Sequence, residues 1–244
     1  MLVCCSHASF EREVEVTRLL LNRRVDGLLL CISKNALNSD HLQDALSREV
    51  PVVMFDNVAQ DFRADKVIID DTKAAYQAVR HLIQQGCKSI AYIGGSPSLL
   101  INQRRLQGYQ QALGENGIDL NNHLIKHVER GDVEDGIQAA RELLQLEMGI
   151  DGLFATADMP AIGAIKQFKK SSLRVPQDIA VVGFSNWQIA EVFEPQLTTV
   201  SQPGGQMGSM AMNLLLNRMN GLNQGPQTKV LDTELLIRES SVKK

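Results

Sequence analysis

The segment VPQDIAVVGFSNWQIAEVFEPQLTTVSQPGGQMG, residues 175–208, decides the fold. An apolar run, 179–182, reaches Gly183 and breaks into Phe184-Ser185-Asn186-Trp187. A second short apolar run, 197–200, leads through Pro203 into a helical pattern. Continuous apolar runs of this length, set between helical patterns, read as strands of a parallel sheet covered on both faces. In open α/β sheets ligands lodge just beyond the carboxyl ends of the strands. A strand exit made of Ser185, Asn186 and Trp187 therefore has the composition of a binding site, and every other strand exit is compared with it.

Working outward, strand and helix patterns alternate along the chain. Apolar runs at 2–5, 27–32, 52–55, 67–69, 90–93, 124–128 and 153–155 read as strands, and 229–231 and 234–237 as short closing strands. Between them, helical periodicity covers 11–24, 40–48, 72–85, 99–116, 133–147, 159–169 and 207–219. In the 72–85 stretch Ala75, Val79, Leu82 and Ile83 recur at helical spacing, and Gly86 fits the position after the helix end. Five or more strands precede residue 95 and about as many follow, too many for one simple sheet. The expectation is an α/β protein of two doubly wound parallel-sheet lobes. The amino-terminal lobe takes 1–70 with a late return of 203–230. The carboxy-terminal lobe takes 71–200 with 229–244. The chain crosses between them near 57–66, 191–203 and 231–234, with a ligand cleft at the strand ends.

Composition narrows the function. The 244 residues carry 25 basic and 28 acidic side chains, a net charge of −3, and show no basic stripe, so this chain by itself is a poor nucleic-acid binder. No apolar run is long enough to span a bilayer. Cys4, Cys5, Cys31 and Cys87 form no CxxC or Cys/His metal pattern and read as buried reduced thiols of a cytoplasmic protein. His7, His41, His81, His123 and His127 have no nucleophile or metal partner at meaningful spacing. There is no GxSxG elbow and no P-loop, and Ser96-Pro97-Ser98 breaks any dinucleotide fingerprint after Gly94-Gly95. These absences argue against an enzyme and imply no metal or cofactor.

The strand exits supply the candidate site. Ser33-Lys34-Asn35 follows 27–32, Asp56-Asn57 follows 52–55, Asp70-Asp71 follows 67–69, and Thr156-Ala157-Asp158 follows 153–155. Hydroxyl, amide and carboxylate groups of this kind bind neutral polyols or sugars, and Trp187 adds a face on which a ring stacks. Each has a plainer reading: Asp56, Asp70 and Asp158 also suit helix caps or turns, and Trp187 also suits a core or interface position. Of Arg104 and Arg105, one suits the solvated surface and the other a bidentate grip on an effector oxygen.

Six stretches in this order resemble the effector-binding core of the lactose/galactose-repressor family of bacterial transcription regulators, which shares the fold of type I periplasmic binding proteins. They are RRVDGLLLCIS (23–33), VPVVMFDN (50–57), AVRHLIQQGCKSIAYIGG (78–95), RRLQGYQQAL (104–113), DGLFATADMPAIGAI (151–165) and the opening segment. The resemblance implies a homodimer whose inter-lobe cleft binds a small effector, a sugar or related metabolite. Closure on the effector would change operator binding by a helix-turn-helix head. It further implies that Arg105 grips the effector, that Asp56, Asp70 and Asp158 are cleft carboxylates, and that Gln202, like Asn57, lies at a crossing. Ser33, Ser185, Asn186 and Trp187 complete the expected contacts. Ser185 stands where many members place an aspartate, which leaves the effector open. The family's head and its first core strand and helix have no counterpart here, so a missing strand is expected between 2–5 and 27–32. The competing reading on the same fold is a periplasmic solute-binding protein of a transporter.

Overall fold

The computed structural model describes residues 1–7, 9–33, 38–146, 148–222 and 225–243. The chain forms two compact units, one of Met1–Ile69 with Pro203–Asp232 and one of Asp70–Gln202 with Thr233–Lys244. The first crossing falls at Ile69–Asp70 rather than within 57–66, because the strand that ends at Ile69 is hydrogen-bonded inside the first unit.

The first unit is built on four parallel strands, β1 (Leu28–Leu30), β2 (Val52–Phe55), β3 (Asp65–Ile69) and β9 (Thr228–Leu231), in the order β1-β2-β3-β9. Residues 229–231 thus belong to this unit and not to the carboxy-terminal lobe. Helix α1 (Phe10–Asn22) starts at Ser9, whose hydroxyl accepts from the Arg12 N–H, as an N-cap should. The short helix α2 (Gln43–Ser47) is preceded by a 3-10 turn, Asp40–Leu42, in place of one helix over 40–48. Leu21, Leu42, Ala45, Met54, Phe62 and Ile68 close the core on the α1 side. On α8 (Gly204–Met219), Met207, Ala211, Leu214 and Leu215 are buried. Gly27 lets α8 approach, since a Cβ there would stand 2.7 Å from Leu215 Cδ1.

Two sequence expectations fail here. Residues 2–5 form no strand; Leu2 and Val3 are exposed. A strand exists only through its hydrogen-bonded neighbours, and 2–5 has none among the described residues. Cys4, Cys5 and Cys31 are exposed, and only Cys87 is a buried thiol. The expected exit Lys34-Asn35 lies outside the described residues.

The second unit has six strands in the order β10-β8-β7-β6-β4-β5, all parallel except β10. They are β4 (Ile90–Gly94), β5 (Ile125–His127), β6 (Gly152–Ala155), β7 (Ala180–Ser185), β8 (Thr198–Ser201) and β10 (Glu234–Leu236). The order is that of a doubly wound sheet, with helices α3 (Asp71–Gln84) and α4 (Leu100–Glu115) forming one packed pair and α5 (Val133–Leu144) and α6 (Asp158–Lys170) the other. Strand alternation sorts the cores. Ala91, Ile93, Leu153, Ala155 and Val181 pack under α5 and α6, while Tyr92 meets Phe154 and Tyr109, with ring centroids 6.0 and 5.3 Å apart. Gly136 and Gly163 are where α5 and α6 cross, since a Cβ on either would lie 2.1 Å from a main-chain oxygen of the partner helix. The closing residues are tied down as well: Ser240 exchanges hydrogen bonds with Val181 and Thr198, and Ser241 bonds His81 Nε2 at 2.7 Å.

One ion pair holds the edge of the first sheet. The fully buried carboxylate of Asp65 accepts from Arg218 Nε at 2.6 Å, Nη2 at 2.9 Å and the Gln227 N–H at 2.8 Å. Removing one partner of such a pair leaves an uncompensated buried charge. Arg218→Met is expected to destabilise the chain by about 3 kcal/mol, read as a lower urea midpoint in equilibrium unfolding.

Candidate functional site

The site is assembled at the carboxyl ends of β4, β6 and β7 in the second unit, and it begins with a glycine. A Cβ at Gly108 would lie 2.2 Å from the Thr72 carbonyl oxygen and 2.9 Å from Ala75 Cβ. With no side chain there, α4 rests on the first turn of α3. Arg105 stands three residues before Gly108, on the same face of the helix. It is thereby delivered to Asp71, the first residue of α3, and donates Nε–H to Asp71 Oδ1 at 2.7 Å. Nη1 donates to the Thr156 carbonyl oxygen at 2.9 Å, and the guanidinium carbon lies 3.7 Å from the centroid of the Phe184 ring. Arg105 is 6% exposed. A buried guanidinium needs its charge paired; Asp71 pairs it, the Thr156 carbonyl takes Nη1, and the Phe184 ring lies against the guanidinium carbon. Arg104 is half-buried and makes none of these contacts.

Asp158 and Trp187 form the adjoining half. Asp158 opens α6 but caps no helix: the N-cap is Ala157, without a side-chain bond. Its carboxylate turns back to the sheet, where Oδ1 accepts from the Thr199 hydroxyl at 2.6 Å and Oδ2 from the Trp187 N–H at 2.8 Å. Burial raises its pKa, against the lowering effect of those hydrogen bonds. The Trp187 residue is 60% exposed, which removes the core reading for its ring. Ser185 and Asn186 have φ of 108° and 54°, a strained conformation for non-glycine residues that persists only where the surroundings impose it. Those surroundings are visible at Asn186. Its amide oxygen accepts from Arg238 Nη2 at 2.9 Å, its side-chain nitrogen faces Ser201 Oγ at 3.4 Å, and its N–H faces Thr199 Oγ1 at 3.3 Å. Asn186 is therefore a fastener of the turn, with both ends of its amide engaged inside the protein.

The remaining expected residues fall in different places. Asp70 is the N-cap of α3, accepting from the Lys73 N–H at 2.9 Å, and its neighbour Asp71 is the one that faces Arg105. Gln202 is half-buried at the end of the second unit's long segment. In the first unit Asp56 turns the chain at φ 58° and heads no helix, so of its plainer readings the turn stands and the helix cap falls. Asn57 lies within the first unit, well before the chain leaves it, and donates Nδ2–H to the Ile32 carbonyl oxygen at 3.0 Å. Ser33 is buried and donates its N–H to the Glu13 carboxylate. Glu13 also approaches His41 Nε2 at 2.9 Å, a buried pair that sequence spacing gave no reason to expect. Asp71, Thr156 and Phe184 were named only as members of strand exits, with no role of their own, and Thr199 was not singled out. The signal for Asp71 was its place at the exit of the strand that ends at Ile69. Among the described residues no group of three His, Cys, Asp or Glu could hold a metal ion, and no helix is long and apolar enough to cross a membrane.

Comparison with known proteins places this geometry. The model of a periplasmic binding protein-like domain matches residues 79–241. The HTH-type transcriptional repressor CytR of Escherichia coli (strain K12) is 35% identical over 239 residues, covering 97% of this chain and 68% of CytR. The chain belongs to the LacI family of transcriptional regulators. Its fold is shared with the transcription regulator CcpA of Lactococcus lactis, at TM-score 0.90 and 30% identity over 99% of this chain and 87% of that one. It is also shared with a LacI family transcriptional regulator from Enterococcus faecium with bound ribose, at TM-score 0.83 and 26% identity over 97% and 85%. The curated relatives are regulators and not enzymes or transport components, which favours the regulator reading over the solute-binding one.

Two outcomes follow from the site's construction. Gly108→Ala must drive α4 off Thr72, and a loss of about 1–3 kcal/mol in urea unfolding is expected. Asp158, with its pKa raised, contributes stability that is fully present below the ordinary value of 3.8 and is lost as pH rises through the raised value. Asp158→Asn removes that loss. The gap in urea midpoint between parent and variant should therefore shift in the variant's favour from pH 4 to pH 7.

Proposed function

We propose that these 244 residues are the effector-sensing core of a transcriptional repressor or activator. A small metabolite engages the strand exits of the second unit around Arg105, Ser185 and Trp187, with Asp70 and Asp158 beside them. Binding alters the affinity of a helix-turn-helix segment outside these residues for operator DNA. The protein acts by differential binding, without chemistry on the ligand and without a cofactor. A ligand shifts a regulator only as far as it prefers one state over the other. The carrying observation is the buried Arg105, held in one orientation by Asp71 and Thr156 at the strand exits of a chain that belongs to a regulator family.

A role as a DNA-bound regulator places the protein in the cytoplasm. A homodimer is part of the reading, supported by large apolar side chains left in solvent at Leu19, Leu216 and Met219 on the two helices α1 and α8. Static light scattering at micromolar concentration is expected to give twice the mass of one chain.

A melting screen over sugars, nucleosides and bases tests the function. The effector, at a hundred times its Kd, should stabilise the chain by about 2.7 kcal/mol, and the same compound must change operator affinity of the full-length polypeptide. Operator affinity indifferent to every stabilising compound would end the proposal. Arg105→Lys keeps a cation beside Asp71 but loses the planar fork. It should weaken the effector by about 2 kcal/mol, near thirtyfold, in calorimetry.

A further inference from the structure

After β10 the chain runs on as a strap, residues 238–243, bonded to the second unit along its length. The Ser240 N–H donates to the Gln196 carbonyl oxygen at 2.9 Å, and the Ser240 carbonyl oxygen accepts from the Val181 N–H at 2.8 Å. Its hydroxyl accepts from the Thr198 N–H at 2.9 Å and donates to the Val181 carbonyl oxygen at 2.7 Å. Ser240 and Ser241 are fully buried. At the head of the strap Arg238 donates Nη2–H to the Asn186 amide oxygen at 2.9 Å, so the strap also grips the turn after β7. On the other side it meets α3 and its C-cap: His81 Nε2 lies 2.7 Å from Ser241 Oγ, and Gln85 Oε1 accepts from the Lys243 N–H at 3.2 Å.

Counting donors assigns the protons of this network. Thr198 Oγ1 accepts from the Arg238 N–H at 2.8 Å and has the Arg238 carbonyl oxygen, at 3.0 Å, as acceptor for its own proton. The Ser241 hydroxyl, 2.7 Å from Thr198 Oγ1, then donates to it. Ser241 Oγ is left to accept from His81 Nε2–H. Every hydroxyl is satisfied by a neutral imidazole protonated on Nε2.

A second proton would put a charge where nothing is placed to meet it. His81 is 5% exposed. Of the strands that pack on α3, β6, β7 and β8 bring no charged side chain, and the Glu234 of β10 is exposed. The strap brings Arg238, Glu239 and Lys243, and Glu239 accepts from the Gln196 N–H. Helix α4 brings Arg104, Arg105, Tyr109 and Glu115, of which Glu115 holds the Tyr76 hydroxyl and Tyr109 bonds the Ile90 carbonyl oxygen. On α3 itself stand Asp71, Lys73, Tyr76 and Arg80, with Asp71 taken by Arg105. None of these charged groups bonds the imidazole among the described residues. Burial alone moves the His81 pKa, downward from the ordinary 6.5. The unfolded chain therefore takes up this proton first. The stability tied to His81 is whole above pH 6.5 and is lost as pH falls from there through the lowered value.

We propose that His81 is an acid-sensitive latch on the carboxy-terminal strap. Neutral, it ties Ser241 to α3. Protonated, it gains compensation only by reaching water, which parts the strap from α3 and, through Arg238, loosens the turn that carries Ser185 and Asn186. The device is independent of which metabolite binds the second unit.

Amide hydrogen exchange at pH 7.5 and 5.0, corrected for intrinsic rates, tests it alongside an NMR titration of the His81 imidazole. Protection of the Val181 and Ser240 N–H groups should fall at least tenfold at pH 5.0, with the midpoint of the His81 titration, while the β4–β6 ladder stays protected. Trp187, the sole tryptophan of the chain, should change its emission with the same midpoint. His81→Gln keeps a donor for Ser241 and takes up no proton, so its strap should be equally protected at both pH values. Ser241→Ala removes the link and keeps Ser240, so its strap should be less protected than the parent's at pH 7.5 and match it at pH 5.0. Strap amides as protected at pH 5.0 as at 7.5, a loss shared by the β4–β6 ladder, an equal loss in His81→Gln, or Trp187 emission that ignores the His81 titration each overturns the inference.

Discussion

The second unit depends on one buried charge being matched. A guanidinium at 6% exposure is tolerable only because Asp71 lies 2.7 Å from Nε and a main-chain carbonyl oxygen lies 2.9 Å from Nη1. That match requires α3 and α4 to approach closely, and the approach requires the bare α-carbon of Gly108 against Thr72. Backbone spacing, helix pairing and the orientation of the candidate effector contact are thus one constraint expressed three times.

The same economy recurs at the neighbouring exits. Asp158 is spent on holding the turn after β7, and Asn186 on fastening that turn to Arg238 and Ser201. Two consecutive residues at positive φ are thereby kept in place, which fixes where Ser185 and the main chain of Trp187 stand. A rigid rim of this sort loses little conformational freedom when a ligand arrives. In the first unit the buried pair Asp65–Arg218 does a comparable service for the β3–β9 edge, and the Glu13 carboxylate, accepting from the Ser33 N–H, for the exit of β1.

Much of the architecture was legible in advance because burial on both faces writes itself into sequence as unbroken apolar runs. The runs at 52–55, 90–93, 153–155 and 179–182 all became strands, and the helical stripe led by Ala75 and Val79 became α3. The run at 2–5 looked the same and is no strand. Hydropathy records that a segment is able to pair and does not record whether a partner is there. The α2 region likewise broke into a 3-10 turn and a short helix where the pattern suggested one helix.

The candidate site was legible by residue type and not by role. Sequence singled out Arg105, Asp158, Asn186 and Trp187 because polar and aromatic groups at strand exits are conspicuous. It had no means of telling that Asp70 caps a helix while Asp71 takes the arginine, or that Thr199 and Arg238 would consume Asp158 and Asn186. Those partners are 41 and 52 residues distant in the chain. The sequence by itself determined the class of fold and which strand ends carry polar groups, since both follow from local pattern. Only the tertiary structure decided which of those groups are spent internally and which face outward, since a hydrogen bond depends on ångström distances between elements that the chain order leaves free.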